Sequence, residues 1–262
     1  MPDNLNFDVS EGIATLTLNR PEKLNAFTNE MLHGLVAALD DCDTRDDVRV
    51  VIVTGAGRGF CSGGDVSRMG EAADNRPHVT KDRIWRDIQA FPKRLARFEK
   101  PVIAAVNGVA TGGGMDLALA CDIRVASESA RFAETYAKIG LLPGGGGAWF
   151  LPRIVGQARA LELLWTAEFL DAAQALELGL VNHVYPDADL MEETRKLAAR
   201  IAAMPPLSIR LIKRVVAQGL NTDMMTSFDL ISSHIAIARA GVDHPEAIAA
   251  FREKRDGTFT GY

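Results

Sequence analysis

The sequence predicts an α/β fold in which a core of alternating strands and helices precedes a mostly helical C-terminal part. Apolar runs of strand length alternate with amphipathic helical segments before residue 147, which is the pattern of β-α-β units. Residues 48–54 and 102–106 are apolar at successive positions, which indicates strands covered on both faces. We therefore predict a core over residues 1–200 and a helical region over residues 201–262 that packs on this core or on a neighbouring subunit.

The composition is that of a globular protein. Of the 262 residues, 47% are hydrophobic, which is enough for a sizeable core. The net charge of -5 lacks the basic field that collects phosphates, so we expect neither a nucleic-acid nor a membrane partner. The chain begins without the charged and apolar regions of a signal peptide, and we predict a cytoplasmic protein. Three widely spaced cysteines, Cys42, Cys61 and Cys121, predict neither a disulfide framework nor a zinc site.

The N-terminal elements are predicted from residue periodicity. Residues 13–18 place apolar side chains at every second position, which is typical of a strand with one buried face. Thr28 can cap a helix whose apolar residues lie on one side, namely Met31, Leu32, Leu35, Val36 and Leu39. Residues 48–54 form the next strand. Residues 67–82 are polar and aperiodic, and we interpret them as a mobile loop or a solvated connection.

The C-terminal elements are predicted to be mostly helices. One apolar stripe at helical spacing consists of Ala158, Leu161, Leu164 and Trp165. Asp171 and Gln174 match a capping box, and Gly179 can stop the helix that follows it. Residues 180–185 predict a short strand. Further helices are predicted over residues 190–201, 208–217, 222–240 and 245–255.

Residues 101–147 contain the first part of a candidate site. A buried strand leads into the glycine run at residues 112–114, which allows close approach of the backbone to a ligand. Residues 115–120 follow as a short buried helix, whose free N–H groups point back toward Gly113 and can polarise a bound carbonyl group. Asp116, the single carboxylate of this helix, is a candidate base. The alternative is a packing turn in which Asp116 only caps the helix.

A second glycine cluster, residues 58–65, follows another apolar run and offers the backbone N–H group of Gly64. The N–H groups of Gly64 and Gly113 come from separate loops, and two such donors are the parts of an oxyanion hole. A thioester carbonyl is the natural ligand of this pair, because proton removal next to it leaves negative charge on its oxygen. The two loops therefore indicate acyl chemistry.

Nearly the whole chain resembles the crotonase family, also called the enoyl-CoA hydratase/isomerase family. The resemblance rests on six motifs in the order and spacing of the family: NRPEKLNA, GAGRGFCSGGDV, KPVIAAVNG, GGGMDLALACD, GLLPGGGG and AFREKR. It implies a crotonase-like superhelix of repeated ββα units, with a C-terminal helical trimerisation region that forms trimers or hexamers. It also implies an acyl-CoA thioester substrate, with coenzyme A as part of that substrate and no other cofactor.

The resemblance also assigns site residues by position. Gly64 and Gly113 match the two residues whose N–H groups form the oxyanion hole and bind the substrate. Phe251 and Lys254 match two residues that contact CoA from the adjacent subunit, and a plain surface lysine is the alternative for Lys254. The segments that cradle CoA correspond to Lys23, Leu24 and Ala26 and to Ser62, Gly64, Asp65, Val66 and Ser67.

The candidate catalytic residues depart from the two glutamates of the hydratases in this family. Asp116 stands at the first glutamate position and Tyr136 at the second, where a phenol with an ordinary pKa of about 10 is a poor base at neutral pH. Glu134 can share the site with Tyr136 if their connector is extended, and diverges from it if the connector is helical. Gly144 stands where some ring-epoxide isomerases and the chlorobenzoyl-CoA dehalogenases of the family carry an aspartate, which argues against these two reactions.

From these residues we expect an acyl-CoA enzyme that forms a thioester enolate, in the first place an enoyl-CoA hydratase. A double-bond isomerase that uses Asp116 as its single base is the first alternative. A CoA-thioester hydrolase, or an enzyme acting on a C–C bond, would use the same oxyanion hole. A catalytically inactive CoA-binding member is disfavoured because both glycines and Asp116 are present, and an RNA-binding member is disfavoured by the acidic charge.

Overall fold

The computed structural model describes residues 2–65 and 76–261, which form two sheets surrounded by helices. The strands are β1 (Leu5–Ser10), β2 (Ile13–Leu18), β3 (Val50–Gly55), β4 (Gly59–Cys61), β5 (Val102–Val106), β6 (Val109–Thr111), β7 (Ile123–Ser127), β8 (Arg131–Ala133), β9 (Leu170–Asp171) and β10 (His183–Tyr185). The helices are α1 (Asn29–Thr44), α2 (Pro77–Arg83), α3 (Ala90–Leu95), α4 (Gly113–Ala120), α5 (Gly147–Val155), α6 (Gln157–Thr166), α7 (Ala172–Glu177), α8 (Leu190–Ala202), α9 (Pro206–Gly219), α10 (Met224–Ala240) and α11 (Asp243–Glu253).

From β3 to β8, successive strands alternate between the two sheets. The larger sheet has the order β1-β2-β3-β5-β7-β10 and is parallel except for the β1–β2 pair. The smaller sheet has the order β4-β6-β8-β9, with an antiparallel pair only at its β8–β9 edge. The strand pairs β3–β4, β5–β6 and β7–β8 each contribute one strand to each sheet before a helical segment follows. This arrangement confirms the predicted α/β superhelix of ββα units.

The larger sheet is covered on both faces, as the apolar runs predicted. Every residue of β3 and β5 is buried. On one face, the side chains of Ile52 and Ile103 pack in a cluster with Leu190 and Ala198 of α8. On the other face, the main core includes residues of α1, α3 and α4. The strands β4 and β6, from which the two glycine loops start, follow β3 and β5 along the chain and pair with each other in the smaller sheet.

Two predicted helix caps are confirmed. The hydroxyl oxygen of Thr28 accepts a hydrogen bond from the N–H group of Met31 at 3.2 Å, which satisfies one free donor at the start of α1. Asp171 and Gln174 form the reciprocal capping box of α7. Gly179 follows the end of α7 with a φ of 69°, a value that glycine adopts without strain.

Two interpretations from the sequence were wrong in part. The buried residues of α6 are Ala160 and Leu163, and Trp165 is 72% exposed, because the helix is rotated relative to the predicted stripe. Residues 77–82, predicted as loop, belong to α2, which has Pro77 at its first turn and buries no side chain. A helix without a buried face leaves no apolar period in the sequence. Residues 66–75 lie outside the described residues.

The C-terminal helices carry many exposed apolar side chains. The helix α10 buries none of its residues, and it packs against α9 and α11. The division into a core over residues 1–200 and a helical region over residues 201–262 stays a prediction. Across the two described stretches of the chain, no helix has the length and apolar content that crossing a bilayer requires.

Candidate active site

The first glycine loop joins β6 to the start of α4. Gly112 has a φ of 51°, and its N–H group donates to the carbonyl oxygen of Ala133 at 2.8 Å. The hydrogen bond from the N–H group of Asp116 to the carbonyl oxygen of Gly112, at 3.0 Å, begins the ladder of α4. The N–H groups of Gly113 and Gly114 precede this ladder and point out of the helix start. A Cβ atom on Gly114 would overlap the carbonyl oxygen of Cys61, so glycine is required there.

The second glycine loop follows β4 and pairs with the chain at Phe27. The N–H group of Phe27 donates to the carbonyl oxygen of Gly63 at 2.8 Å, and that of Asp65 donates to the carbonyl oxygen of Phe27 at 3.3 Å. Phe27 thus pairs with Gly64 as in a parallel sheet. The N–H group of Gly64, which lies between Gly63 and Asp65, points away from Phe27. A Cβ atom on Gly63 would lie 3.3 Å from the nitrogen of Gly113. The two loops therefore adjoin, as expected for two converging donors.

The structure also brings the two predicted CoA segments together. The N–H group of Ser62 donates to the carbonyl oxygen of Leu24 at 2.9 Å, and its hydroxyl donates to that of Lys23 at 3.2 Å. Asp65 accepts a charge-assisted hydrogen bond from Arg20 at 2.9 Å, and Arg20 also donates to a backbone carbonyl of the first segment. The predicted residues assembled here are Lys23, Leu24, Ala26, Ser62, Gly64 and Asp65.

Four further residues were predicted to contact CoA. Val66 and Ser67 lie outside the described residues. Phe251 lies in the last turn of α11, which packs against α10, and Lys254 follows as the C-terminal cap of this helix. The side chain of Phe251 is 84% exposed, so within the single chain it has little to pack against.

Asp116 lies where α4 meets the start of α5. The residue is 2% exposed. Its Oδ2 atom accepts a hydrogen bond from the hydroxyl of Tyr136 at 2.6 Å and another from the N–H group of Gly145 at 2.8 Å. The first residue of α5 is Gly147, so the positive end of this helix dipole also favours negative charge on the carboxyl group.

Glu134 approaches the other oxygen of Asp116. A Cβ atom on Gly147 would overlap both Oδ1 of Asp116 and Oε1 of Glu134, so the two carboxyl groups lie within about 5 Å of each other. Glu134 is 1% exposed. Within the described residues, Oδ1 of Asp116 and both carboxyl oxygens of Glu134 have no hydrogen-bond partner. Glu134 therefore lies on the side of Oδ1 of Asp116, while Tyr136 donates to Oδ2.

The environment raises the pKa values of all three groups. Burial raises the pKa of Asp116, and the hydrogen bonds from Tyr136 and Gly145 oppose this shift only in part. Burial, and then the charge of Asp116, raise the pKa of Glu134 to about 10. Burial and the same charge raise the pKa of Tyr136 above its ordinary value. At neutral pH Glu134 therefore keeps its proton, and Tyr136 is a neutral phenol.

Four residues at the site were not assigned from the sequence. Phe27 places two ring carbons 2.5 and 2.7 Å from where a Cβ atom on Gly113 would lie, so its ring forms a wall beside Gly113. Gly145 and Gly147 contact Asp116, and the run of four glycines at residues 144–147 is a signal that could have indicated them. The amide of Gln89 donates to the carbonyl oxygen of Gly144 at 3.1 Å and holds this run in place.

Comparison with known proteins gives one family model and many relatives. Residues 8–262 match the model described as Enoyl-CoA hydratase/isomerase. The chain is 39% identical to 1,2-epoxyphenylacetyl-CoA isomerase of Escherichia coli (strain K12), with 97% of each chain covered. It is 36% identical to short-chain-enoyl-CoA hydratase of Clostridium acetobutylicum, over 93% of this chain and 92% of the relative. A solved enoyl-CoA hydratase structure from Geobacillus kaustophilus superposes with a TM-score of 0.91 at 38% identity, covering 99% and 98% of the two chains.

Proposed function

The chain belongs to the enoyl-CoA hydratase/isomerase family, and we propose that this acyl-CoA enzyme shifts the double bond of an enoyl-CoA through a thioester enolate. The N–H groups of Gly64 and Gly113 would hold the thioester oxygen as charge develops on it. Removing one donor of such a pair typically costs about 2.7–4 kcal/mol of transition-state stabilisation. Asp116 would accept the proton that leaves carbon and return it at another carbon.

One observation favours isomerisation over the other reactions of the family. Of the three side chains in the cluster, Asp116 and Glu134 are buried, and Tyr136, which donates a hydrogen bond to Asp116, is half-buried. Isomerisation needs only one assembly that takes a proton and returns it nearby. Hydration needs a second group that orients and deprotonates water, and Glu134 is buried and keeps its proton at neutral pH.

Hydration, the first expectation from the sequence, is the second candidate. Glu134 lies beside Asp116, so the site holds two carboxyl groups, as hydration by paired carboxylates requires. The relative from Clostridium acetobutylicum is described as a short-chain-enoyl-CoA hydratase. Epoxide isomerisation, the activity in the name of the Escherichia coli relative, has less support because Gly144 offers no carboxylate.

The binding residues follow from the assembled loops. We propose that Lys23, Leu24 and Ala26 line the CoA cradle together with Ser62 and Asp65. The ion pair between Arg20 and Asp65 would keep the loop of Gly64 in register, since both side chains are largely covered. Phe251 and Lys254 would reach the CoA of an adjacent copy.

The proposed reaction is tested with paired substrates in D2O. We expect 3-hexenoyl-CoA to be converted to 2-hexenoyl-CoA with solvent deuterium entering the acyl chain, and hydration of crotonyl-CoA to be at least about tenfold slower. Product masses and NMR measure both rates without added metal or redox cofactor. Faster hydration than isomerisation would select the second candidate, and neither turnover nor deuterium exchange would contradict the enolate chemistry.

A second copy is the proposed partner of the C-terminal helices. Their exposed apolar side chains include Val216, Leu220, Met224, Met225 and Phe228. A largely apolar cavity of about 1280 Å³ opens between α9 and the helices α3 and α5. Burial of such surface drives association, so we expect a trimer or hexamer of the 28.3 kDa chain by light scattering. A mass of one chain at micromolar concentration would contradict this proposal.

A further inference from the structure

The carboxylate of Asp116 is enclosed by its neighbours. Its Oδ2 atom already accepts two hydrogen bonds, from Tyr136 and from Gly145. A Cβ atom on Gly145 would lie 2.8 Å from Oδ2, and one on Gly147 would overlap Oδ1, so the backbone of both glycines covers the carboxylate. Among the described residues, a substrate carbon therefore finds no direct approach to either oxygen.

Tyr136 is the member of the cluster that reaches the open side. It is half-buried, whereas Asp116 and Glu134 are buried. Its hydroxyl oxygen lies 2.6 Å from Oδ2 of Asp116 and 3.3 Å from where a Cβ atom on Gly113 would stand. The hydroxyl thus lies between the buried carboxylate and the oxyanion donor. We propose that this hydroxyl exchanges the proton with the substrate carbon, and that Asp116 receives the proton through it.

The relay rests on the proposed enolate chemistry and balances as one coupled step. The substrate C–H bond breaks, and its electron pair stays on the substrate as an enolate held by the N–H groups of Gly64 and Gly113. The substrate proton binds the oxygen of Tyr136 while the phenolic proton passes to Oδ2 of Asp116. Tyr136 ends as a neutral phenol and Asp116 as a carboxylic acid. The same path in reverse delivers a proton to the other carbon and completes isomerisation.

The electrostatics of the cluster are consistent with a coupled transfer. Burial and the charge of Asp116 raise the pKa of Tyr136, so a free phenolate is disfavoured and its two proton transfers must occur together. The N–H group of Gly144 opposes this shift only in part. Glu134 is a positioning residue, because its proton can be donated to Oδ1 of Asp116 and leaves Oδ2 for the relay.

The test compares Tyr136→Phe with wild type in D2O. We expect the variant to lose at least about 100-fold in the rate of deuterium exchange into the acyl chain. Its dissociation constant for saturated butyryl-CoA should change less than about threefold, which also shows that the variant is folded. Tyr185→Phe, which removes a phenolic hydroxyl from β10, is the matched control and should exchange at the wild-type rate.

The dependence of the rate on solvent deuterium separates the relay from direct transfer to Asp116. We expect the wild-type rate of proton removal from the substrate carbon to fall linearly as the deuterium fraction of the solvent rises, because the phenolic proton exchanges with solvent and the other moving proton comes from the substrate carbon. A rate of proton removal that does not depend on the deuterium fraction, or exchange by Tyr136→Phe within about tenfold of wild type, would overturn the relay but leave the enolate mechanism standing. No exchange by wild type would overturn the proposed function, and the relay with it.

Discussion

Asp116→Asn is expected to lower turnover by about 100-fold or more while thioester binding changes little. The substitution keeps the shape of the side chain and an oxygen that can accept from Tyr136 and Gly145, but it removes the proton acceptor. The expected loss follows both in a direct transfer and in a relay, because the proton ends on this carboxylate in each case. The measurement is kcat for isomerisation, set beside the dissociation constant of butyryl-CoA.

The control for this loss is Asp171→Asn. Asp171 caps α7 in a different part of the chain, and asparagine is an equally good cap, so its activity and stability should match wild type. The comparison separates the loss of a carboxylate charge at the site from the loss of any carboxylate charge. Activity of Asp116→Asn within a few-fold of wild type would show that the base is another residue.

The parts of the site that could be predicted lie at the starts and ends of regular elements. Gly113 and Asp116 share one short helix, so their separation along the chain fixes their separation in space. Gly64 stays a prediction as the second donor, made because its glycine cluster follows a buried strand, as that of Gly113 does. The pairing of β4 with β6, which brings the two loops together, did not follow from the apolar runs.

The relation between Glu134 and Asp116 could not be predicted from the same patterns. Glu134 has φ and ψ of -89° and 83°, and a 3₁₀ turn carrying Tyr136 follows it, so neither the extended nor the helical period applies to the pair. The strands β4, β6 and β8 have three residues each, too few to show a period of two. The smaller sheet, whose strands lead into both glycine loops, therefore could not be predicted from periodicity.

The exposure of individual aromatic residues also could not be predicted from the sequence. Trp165 and Phe251 resemble core residues in composition, but both are exposed on the single chain. Their surroundings depend on how helices rotate about their axes and on what a second copy covers. The rotation of a helix and the surface that a second copy covers are decided by tertiary and quaternary packing. A local sequence pattern does not contain this information.

Glu134→Gln is expected to stabilise the fold increasingly as pH rises, while it impairs the site. The ordinary pKa of 4.5 is raised to about 10 in the folded protein. Between these values the folded state keeps a proton that the unfolded state has lost, so wild-type stability falls with rising pH by up to about 1.4 kcal/mol per pH unit. Below the ordinary pKa the cost vanishes because both states are protonated. Glutamine does not titrate and avoids the cost, and we expect a gain on the order of 1–3 kcal/mol at neutral pH.

Urea unfolding of Glu134→Gln and wild type from about pH 6 to about pH 9 measures this difference. The free energy of unfolding of the variant minus that of wild type should increase steadily over the range, since only the wild-type group titrates. Glu162→Gln, on the exposed side of α6, is the matched control and should give a flat difference. A flat difference for Glu134→Gln as well would mean that Glu134 is already ionised in the folded protein. A carboxyl group that costs stability at neutral pH is not explained by the fold, and its place beside Asp116 is the reason we expect its removal to slow proton transfer.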